Sequence, residues 1–193
     1  MSKGIALITG AADRIGAAIA RSMAGHGYKT IVHYNSSAQK ADALVDEIRA
    51  AGGEAKSIGA DLLDRTARGA LIDKASALFG PINILVNNAS IFLPDNISEL
   101  EPELWQKHFG IHAEAPMFLA RDFAAQLPAG VEGNIINLID QRVWALKPTF
   151  FSYTLSKSVL WSATQTAAQS LAPRIRVNAI GPGPTIKNIH QTE

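Results

Sequence analysis

Tyr153 and Lys157 stand four residues apart in a stretch, 152–172, whose apolar spacing predicts a helix, so their side chains share one face and project together. A free phenol ionises near pH 10, too high for easy proton exchange at neutral pH. An ammonium fixed beside it favours the phenolate, so the pair predicts a lowered Tyr153 pKa and an acid suited to protonating the atom opposite a hydride acceptor. The same spacing occurs by chance on many helices, where the lysine simply faces solvent. Other residues must therefore support the reading. Asp140 lies 13 positions before Tyr153, within Leu138-Ile139-Asp140-Gln141-Arg142, as a carboxylate that could cap a helix or loop. Phe92 offers a flat ring that could stack on a planar substrate or anchor a loop.

At the other end, Thr9-Gly10-Ala11-Ala12-Asp13-Arg14-Ile15-Gly16 reads as strand, tight turn and helix. Gly10 permits the turn, Gly16 permits close packing of helix on sheet, and the helix N-terminus presents backbone N–H groups to a pyrophosphate. A site for NAD commonly places Asp or Glu about 20 residues further on, where it accepts hydrogen bonds from the adenine ribose. Here the second strand ends in His33-Tyr34-Asn35-Ser36-Ser37, and no acid occurs between Asp13 and Asp42. A carboxylate would repel a 2′-phosphate, whereas Arg14 with Asn35 and Ser36 could hold one, so NADP(H) is expected. The segment 35–37 also reads as a helix N-cap region, and both readings can hold together.

Such groups need a scaffold. Short apolar runs alternate with longer amphipathic stretches, which predicts an α/β protein with a doubly wound parallel sheet of the Rossmann type and helices on both faces. Strands are expected at 5–9, 29–33, 55–59, 82–87, 133–138 and 174–179. Helices are expected at 15–26, 38–51, 64–79, 101–126 (broken or bent at Pro116) and 152–172. No linker, repeat or low-complexity tract divides the 193 residues, so a single domain, 1–193, is expected.

Composition removes several function classes. The net charge is +1, with no basic run, so no nucleic-acid partner is expected. The absence of cysteine excludes disulfides, thiolate metal sites and a cysteine nucleophile. No apolar run reaches the length of a secretory leader core or a membrane span, so a soluble cytoplasmic protein acting on a small molecule is expected. His108 and His112 have the i,i+4 spacing of two metal ligands, but Phe109 stands where a metalloprotease places Glu and no third ligand is evident; no metal site is expected.

Thr9-Gly10 with Gly16, Asn87-Asn88-Ala89, Tyr153 with Lys157, and Pro182-Gly183, in that order, closely resemble the short-chain dehydrogenase/reductase family over essentially the whole chain. The resemblance implies that the Asn-Asn-Ala segment steadies the sheet beside the cofactor, that Tyr153 donates the proton and that Lys157 also binds the nicotinamide ribose. The cofactor contacts expected on this footing are Gly10, Arg14, Ile15, His33, Asn35, Ser36, Asp61, Leu62, Asn88, Ala89, Ser90, Tyr153, Lys157, Pro182 and Gly183. A homo-oligomer, tetramer or dimer, is implied as well.

The departures from the family pattern are informative. Arg14 replaces the middle glycine of the usual turn, and Asp140 stands where a serine is common. With Ser90, Phe92 and Tyr153, these residues look like the pteridine reductase and dihydromonapterin reductase branch. That likeness implies that Arg14 and Ser90 lie near the phosphates and pterin, that Phe92 sandwiches the ring against the nicotinamide, and that Asp140 assists protonation. The alternatives are a carbonyl or 3-oxoacyl reductase of the same family, or a non-catalytic NADP-binding protein. His112 falls where the family usually has an Asn that supports the Lys through water. The family also typically continues for about 50–60 residues past the point reached by Glu193, so a truncated C-terminal part is expected.

Overall fold

The computed structural model describes residues 3–183. Six strands form one parallel sheet: β1 (Ile5–Ile8), β2 (Lys29–Tyr34), β3 (Ala55–Gly59), β4 (Ile84–Asn87), β5 (Gly133–Leu138) and β6 (Ile175–Ile180), in the order β3-β2-β1-β4-β5-β6. Parallel strands need crossover connections, and here these are helices on both faces. The alternation along β1 shows why both faces are covered. Leu7 points to one side, in register with Ile31 of β2 and Leu85 of β4, while Ala6 and Ile8 point to the other; all three β1 residues are fully buried.

The Leu7 side packs under α4 (Leu71–Phe79) and α6 (Ala115–Gln126), through Leu71, Ile72, Leu119 and Phe123, with the far end of α7 (Phe151–Leu171) against them. The Ala6/Ile8 side packs under α1 (Arg14–Gly25) and α2 (Ala38–Ala50), through Ala17, Ala20, Leu44 and Ile48. The chain leaves β1 toward β2 and β3, then returns to β4 on β1's other side. A crevice therefore opens at the carboxyl ends of β1 and β4, where doubly wound sheets bind ligands.

Two expected helices are subdivided. The stretch 64–79 becomes α3 (Arg65–Gly69), capped by the Asp64 carboxylate, followed by α4. The stretch 101–126 becomes α5 (Pro102–Phe109), a π-helical turn at Gly110–Glu114, and α6. Pro116 lacks an N–H and its ring crowds the carbonyl four residues back, that of His112, so the wide turn precedes the proline. No helix among the described residues is long and apolar enough to cross a membrane.

Candidate active site

The β1–α1 turn is held from three directions. Gly10 has φ 60°, and its N–H donates to His33 Nδ1 at 3.1 Å. His33 Nε2 lies 3.0 Å from the carbonyl of Ala60, which can only accept, so the proton sits on Nε2 and Nδ1 is free to accept from Gly10. Burial pushes the His33 pKa down to about 4, which keeps this tautomer neutral. His33 was expected to contact cofactor; it lines the crevice, but both ring nitrogens are committed to the turn. Asn88 Nδ2 donates to the carbonyls of Thr9 (2.9 Å) and Gly10 (3.0 Å), while Thr9 Oγ1 accepts from the Asn88 and Ala89 N–H groups. A Cβ at Gly16 would lie 2.5 Å from the Gly10 carbonyl oxygen, so helix and turn are in direct contact there.

Arg14 has φ 52°, the left-handed region that costs a non-glycine residue roughly 1–2 kcal/mol. This explains why the related pattern favours glycine at that position and what the arginine costs. Asp13 caps α1, accepting from Arg14 N–H at 2.7 Å, and its second oxygen takes Lys40 Nζ at 2.6 Å. The Lys40 bond first, and the Arg14 N–H second, hold the Asp13 carboxyl below its usual range.

At the catalytic end, the Tyr153 hydroxyl donates to Asp140 Oδ2 at 2.9 Å. The other Asp140 oxygen accepts from Arg142 N–H at 2.8 Å, so Asp140 is both a cap and the partner of the phenol. Lys157, 2% exposed, donates from Nζ to the Leu138 carbonyl at 2.6 Å and lies 5.9 Å from the centre of the Tyr153 ring. The expected lowering of the phenol pKa by Lys157 is overturned: burial, then the charge and hydrogen bond of Asp140, push Tyr153 well above its ordinary value. Burial also lowers Lys157 to about 8, against the opposing pull of Asp140. The phenol proton thus lies between Tyr153 Oη and Asp140 Oδ2.

Phe92 is half-buried and stacks on Phe150, with ring centres 4.1 Å apart and planes at 4°; its contact with Tyr153 is edge-on at 4.7 Å. Phe150 is the second non-glycine residue with left-handed backbone, at φ 57°, and the Arg142 guanidinium lies 4.9 Å over its ring. One face of Phe92 is therefore taken by another aromatic, an arrangement that the sequence did not suggest.

His108 and His112 each bond a serine 44 residues on. His108 Nδ1 lies 2.6 Å from Ser152 Oγ and His112 Nδ1 lies 2.8 Å from Ser156 Oγ. His112 Nε2 accepts from Ile91 N–H at 3.2 Å and lies 2.9 Å from Ser90 Oγ. Its Nδ1 must then donate to Ser156, which passes its own proton to the Tyr153 carbonyl at 2.7 Å. Burial first, with the charges of Lys157 and His108, holds His112 well below its usual pKa. The imidazole at the usual Asn position is thus turned to two serines.

The crevice has a volume of about 460 Å³, within the range of small-molecule sites. Its lining brings together Gly10, Arg14, Ile15, His33, Asn35, Asp61, Leu62, Asn88, Ala89, Ser90, Phe92, Asp140, Tyr153, Lys157, Pro182 and Gly183. Ser36 is exposed and not on that wall, and Ser37 at the α2 N-cap makes no side-chain cap bond. Sequence reasoning gave Thr9 no role beyond its place in the motif and missed Lys40, Phe150 and the serine pair. The equal spacing of His108/His112 and Ser152/Ser156 was a readable signal for the last of these.

The short chain dehydrogenase family pattern matches residues 4–192. The chain belongs to that family. Among curated relatives, an uncharacterized oxidoreductase of Methylorubrum extorquens is 36% identical over 180 residues, which cover 93% of this chain and 72% of the relative. A 3-oxoacyl-(acyl-carrier-protein) reductase of Staphylococcus aureus is 32% identical, over 92% and 73%. Among solved structures, the FolM alternative dihydrofolate reductase 1 of Brucella canis, complexed with NADP, has a TM-score of 0.95 and 46% identity, covering 99% of this chain and 76% of that one. As a short-chain dehydrogenase, this protein is an oxidoreductase.

Proposed function

We propose that this short-chain dehydrogenase is an NADPH-dependent reductase of a dihydropterin, with Tyr153, Asp140 and Lys157 as its catalytic residues. The observation that carries the substrate class is the Tyr153–Asp140 hydrogen bond on the crevice wall beside Phe92. A pterin is flat and rich in N–H and ring nitrogen groups, so a carboxylate paired with a phenol can both accept and return protons to it, while an aromatic plate orients the ring. A hydroxyl in place of Asp140 would suit a simple carbonyl better.

NADP(H) fits the crevice. The glycine turn and α1 N-terminus supply backbone N–H groups, and no acid lies between the end of β2 and Asp42 to repel a 2′-phosphate. Arg14 and Asn35 line the crevice on that side. Lys157 and Asn88 would bind the nicotinamide end. When bound, NADPH supplies a hydride. Asp140 would hold the Tyr153 hydroxyl in place; Tyr153, kept protonated by its surroundings, would give that proton to the atom opposite the hydride acceptor, and the phenolate left behind would regain a proton from solvent. The likeness to a FolM dihydrofolate reductase supports the pterin reading, and the likeness to a 3-oxoacyl reductase supports the second one, a carbonyl reductase.

The deciding experiment compares NADPH-dependent turnover of dihydrobiopterin with that of small diketones and a 3-oxoacyl thioester. Preference for the pterin is the expected result; turnover of ketones alone would replace the pterin reading with carbonyl reduction. A homo-oligomer and a cytoplasmic location accompany this proposal, and sizing by light scattering checks the first of them.

A further inference from the structure

Three buried side chains outside the crevice meet at the first turn of α7. Asp95, 8% exposed, lies three residues beyond Phe92 in the loop that also carries Ser90. Its two oxygens accept the Ser152 N–H at 3.2 Å each, and one of them takes the Ser152 hydroxyl. The Asp95 carbonyl accepts Phe151 N–H at 3.3 Å. Phe150, at the N-cap position, makes no side-chain cap bond, so Asp95 caps α7 from 57 residues away.

A carboxylate only accepts, so the Ser152 proton points to Asp95 and His108 Nδ1 donates to Ser152. The chain of bonds runs His108 Nδ1–H to Ser152 O–H to Asp95. His108 Nε2, buried, has no partner among the described residues, so the imidazole is held from one side only. Ser152 directly precedes Tyr153, and His108 meets the Tyr153 ring edge-on at 5.9 Å.

We propose that Asp95 is a positioning residue for the proton donor, latching the Ser90–Phe92 loop to α7 through Ser152 and His108 so that the Tyr153 hydroxyl is held on Asp140. Without the latch, the first turn of α7 loses its cap and the loop can shift relative to the phenol. A displacement near 1 Å at the reacting atoms costs about 100-fold in rate. Gly10, Arg14, Ile15 and Asn35 line the crevice from the β1–α1 turn and the end of β2 and lie outside the latch, so most of the NADPH affinity is expected to survive its loss.

The proposal rests on Tyr153 as proton donor and not on the pterin, so it is read with whichever pterin or carbonyl substrate the wild-type protein reduces. Asp95→Ala and Ser152→Ala should each lower kcat at least about tenfold, with the NADPH Kd from fluorescence titration within about threefold of wild type. Asp95→Asn, which still offers a carbonyl oxygen to the α7 N-terminus, should recover most of that loss. Ser152→Ala removes one oxygen at a helical position and keeps the question answerable if Asp95→Ala fails to fold. A merely structural latch would lower Tm while leaving kcat per folded molecule unchanged, and that outcome overturns the proposal. So does a parallel loss of NADPH affinity beyond tenfold.

Discussion

At the scale of single residues, the site is organised by protonation states that burial enforces. Tyr153 is expected to be indispensable for proton transfer: Tyr153→Phe should lower kcat by well over tenfold, at least about 1.4 kcal/mol of barrier, with NADPH affinity nearly intact by fluorescence titration. Retention of more than a tenth of the rate would remove Tyr153 from its role. Asp140→Ser should depress dihydropterin reduction sharply while sparing ketone turnover, and Asp140→Ala should lose both; equal effects on the two substrates would detach Asp140 from specificity. His33 carries a pH prediction. Its folded pKa, about 4, lies below the ordinary value of 6.5, so between these values the unfolded chain binds the extra proton. The His33 contribution is therefore complete above about pH 6.5 and is lost as pH falls toward 4, on the order of 3 kcal/mol in all. The His33 imidazole resonance should show no protonation step between pH 7 and 5; a midpoint near 6.5 would contradict the bond to Gly10. Tyr153 and Lys157 were singled out by their spacing, and Asp140 and Phe92 by the family resemblance; all four line the same crevice. The direction of the Tyr153 shift was not legible in the sequence: spacing reveals that Lys157 shares its face, whereas the dominant influences, burial and Asp140, depend on how β5 and α7 meet.

At the scale of elements, close approach decides most of the site. A Cβ on Gly16 would lie 2.5 Å from Gly10 O, 2.6 Å from Asn88 Nδ2 and 2.8 Å from Ala11 Cα. Two of these are backbone atoms with nowhere to move. Gly16→Ala should therefore destabilise the fold by about 3 kcal/mol and abolish NADPH binding, as measured by urea unfolding and titration. A stable variant that binds NADPH normally would mean that the turn tolerates displacement. The strands were read within two residues; β1, β2 and β4 are short apolar runs buried on both sides, while β3 and β6 carry polar residues and are partly exposed. The divisions at Ala70 and at Gly110–Glu114 were not readable in the same way. The periodic apolar pattern continues through both, and in the second the proline announces a break without saying on which side the wide turn will fall.

At the scale of the whole molecule, the crevice draws on residues from Gly10 to Gly183, so cofactor and fold are thermodynamically linked. NADPH at 100 times its Kd should raise stability by about 2.7 kcal/mol, seen as an upward shift in Tm, and NADH at the same concentration should do far less. Equal shifts would contradict the 2′-phosphate reading of Arg14 and Asn35. The position of β1 between β2 and β4 has a further consequence for synthesis. Of the six strands, β1 is made before the others and is a central one, and Asn88 and Ala89, the partners of Thr9 just past its end, are translated 79 and 80 residues later. At about 5–20 residues per second, one edge of β1 waits on the order of 4–16 s for its neighbour. During that interval an apolar strand stands unpaired and available to other nascent chains. Slower translation lengthens that exposure, so the soluble yield is expected to fall as elongation is slowed, which expression at graded elongation rates would check.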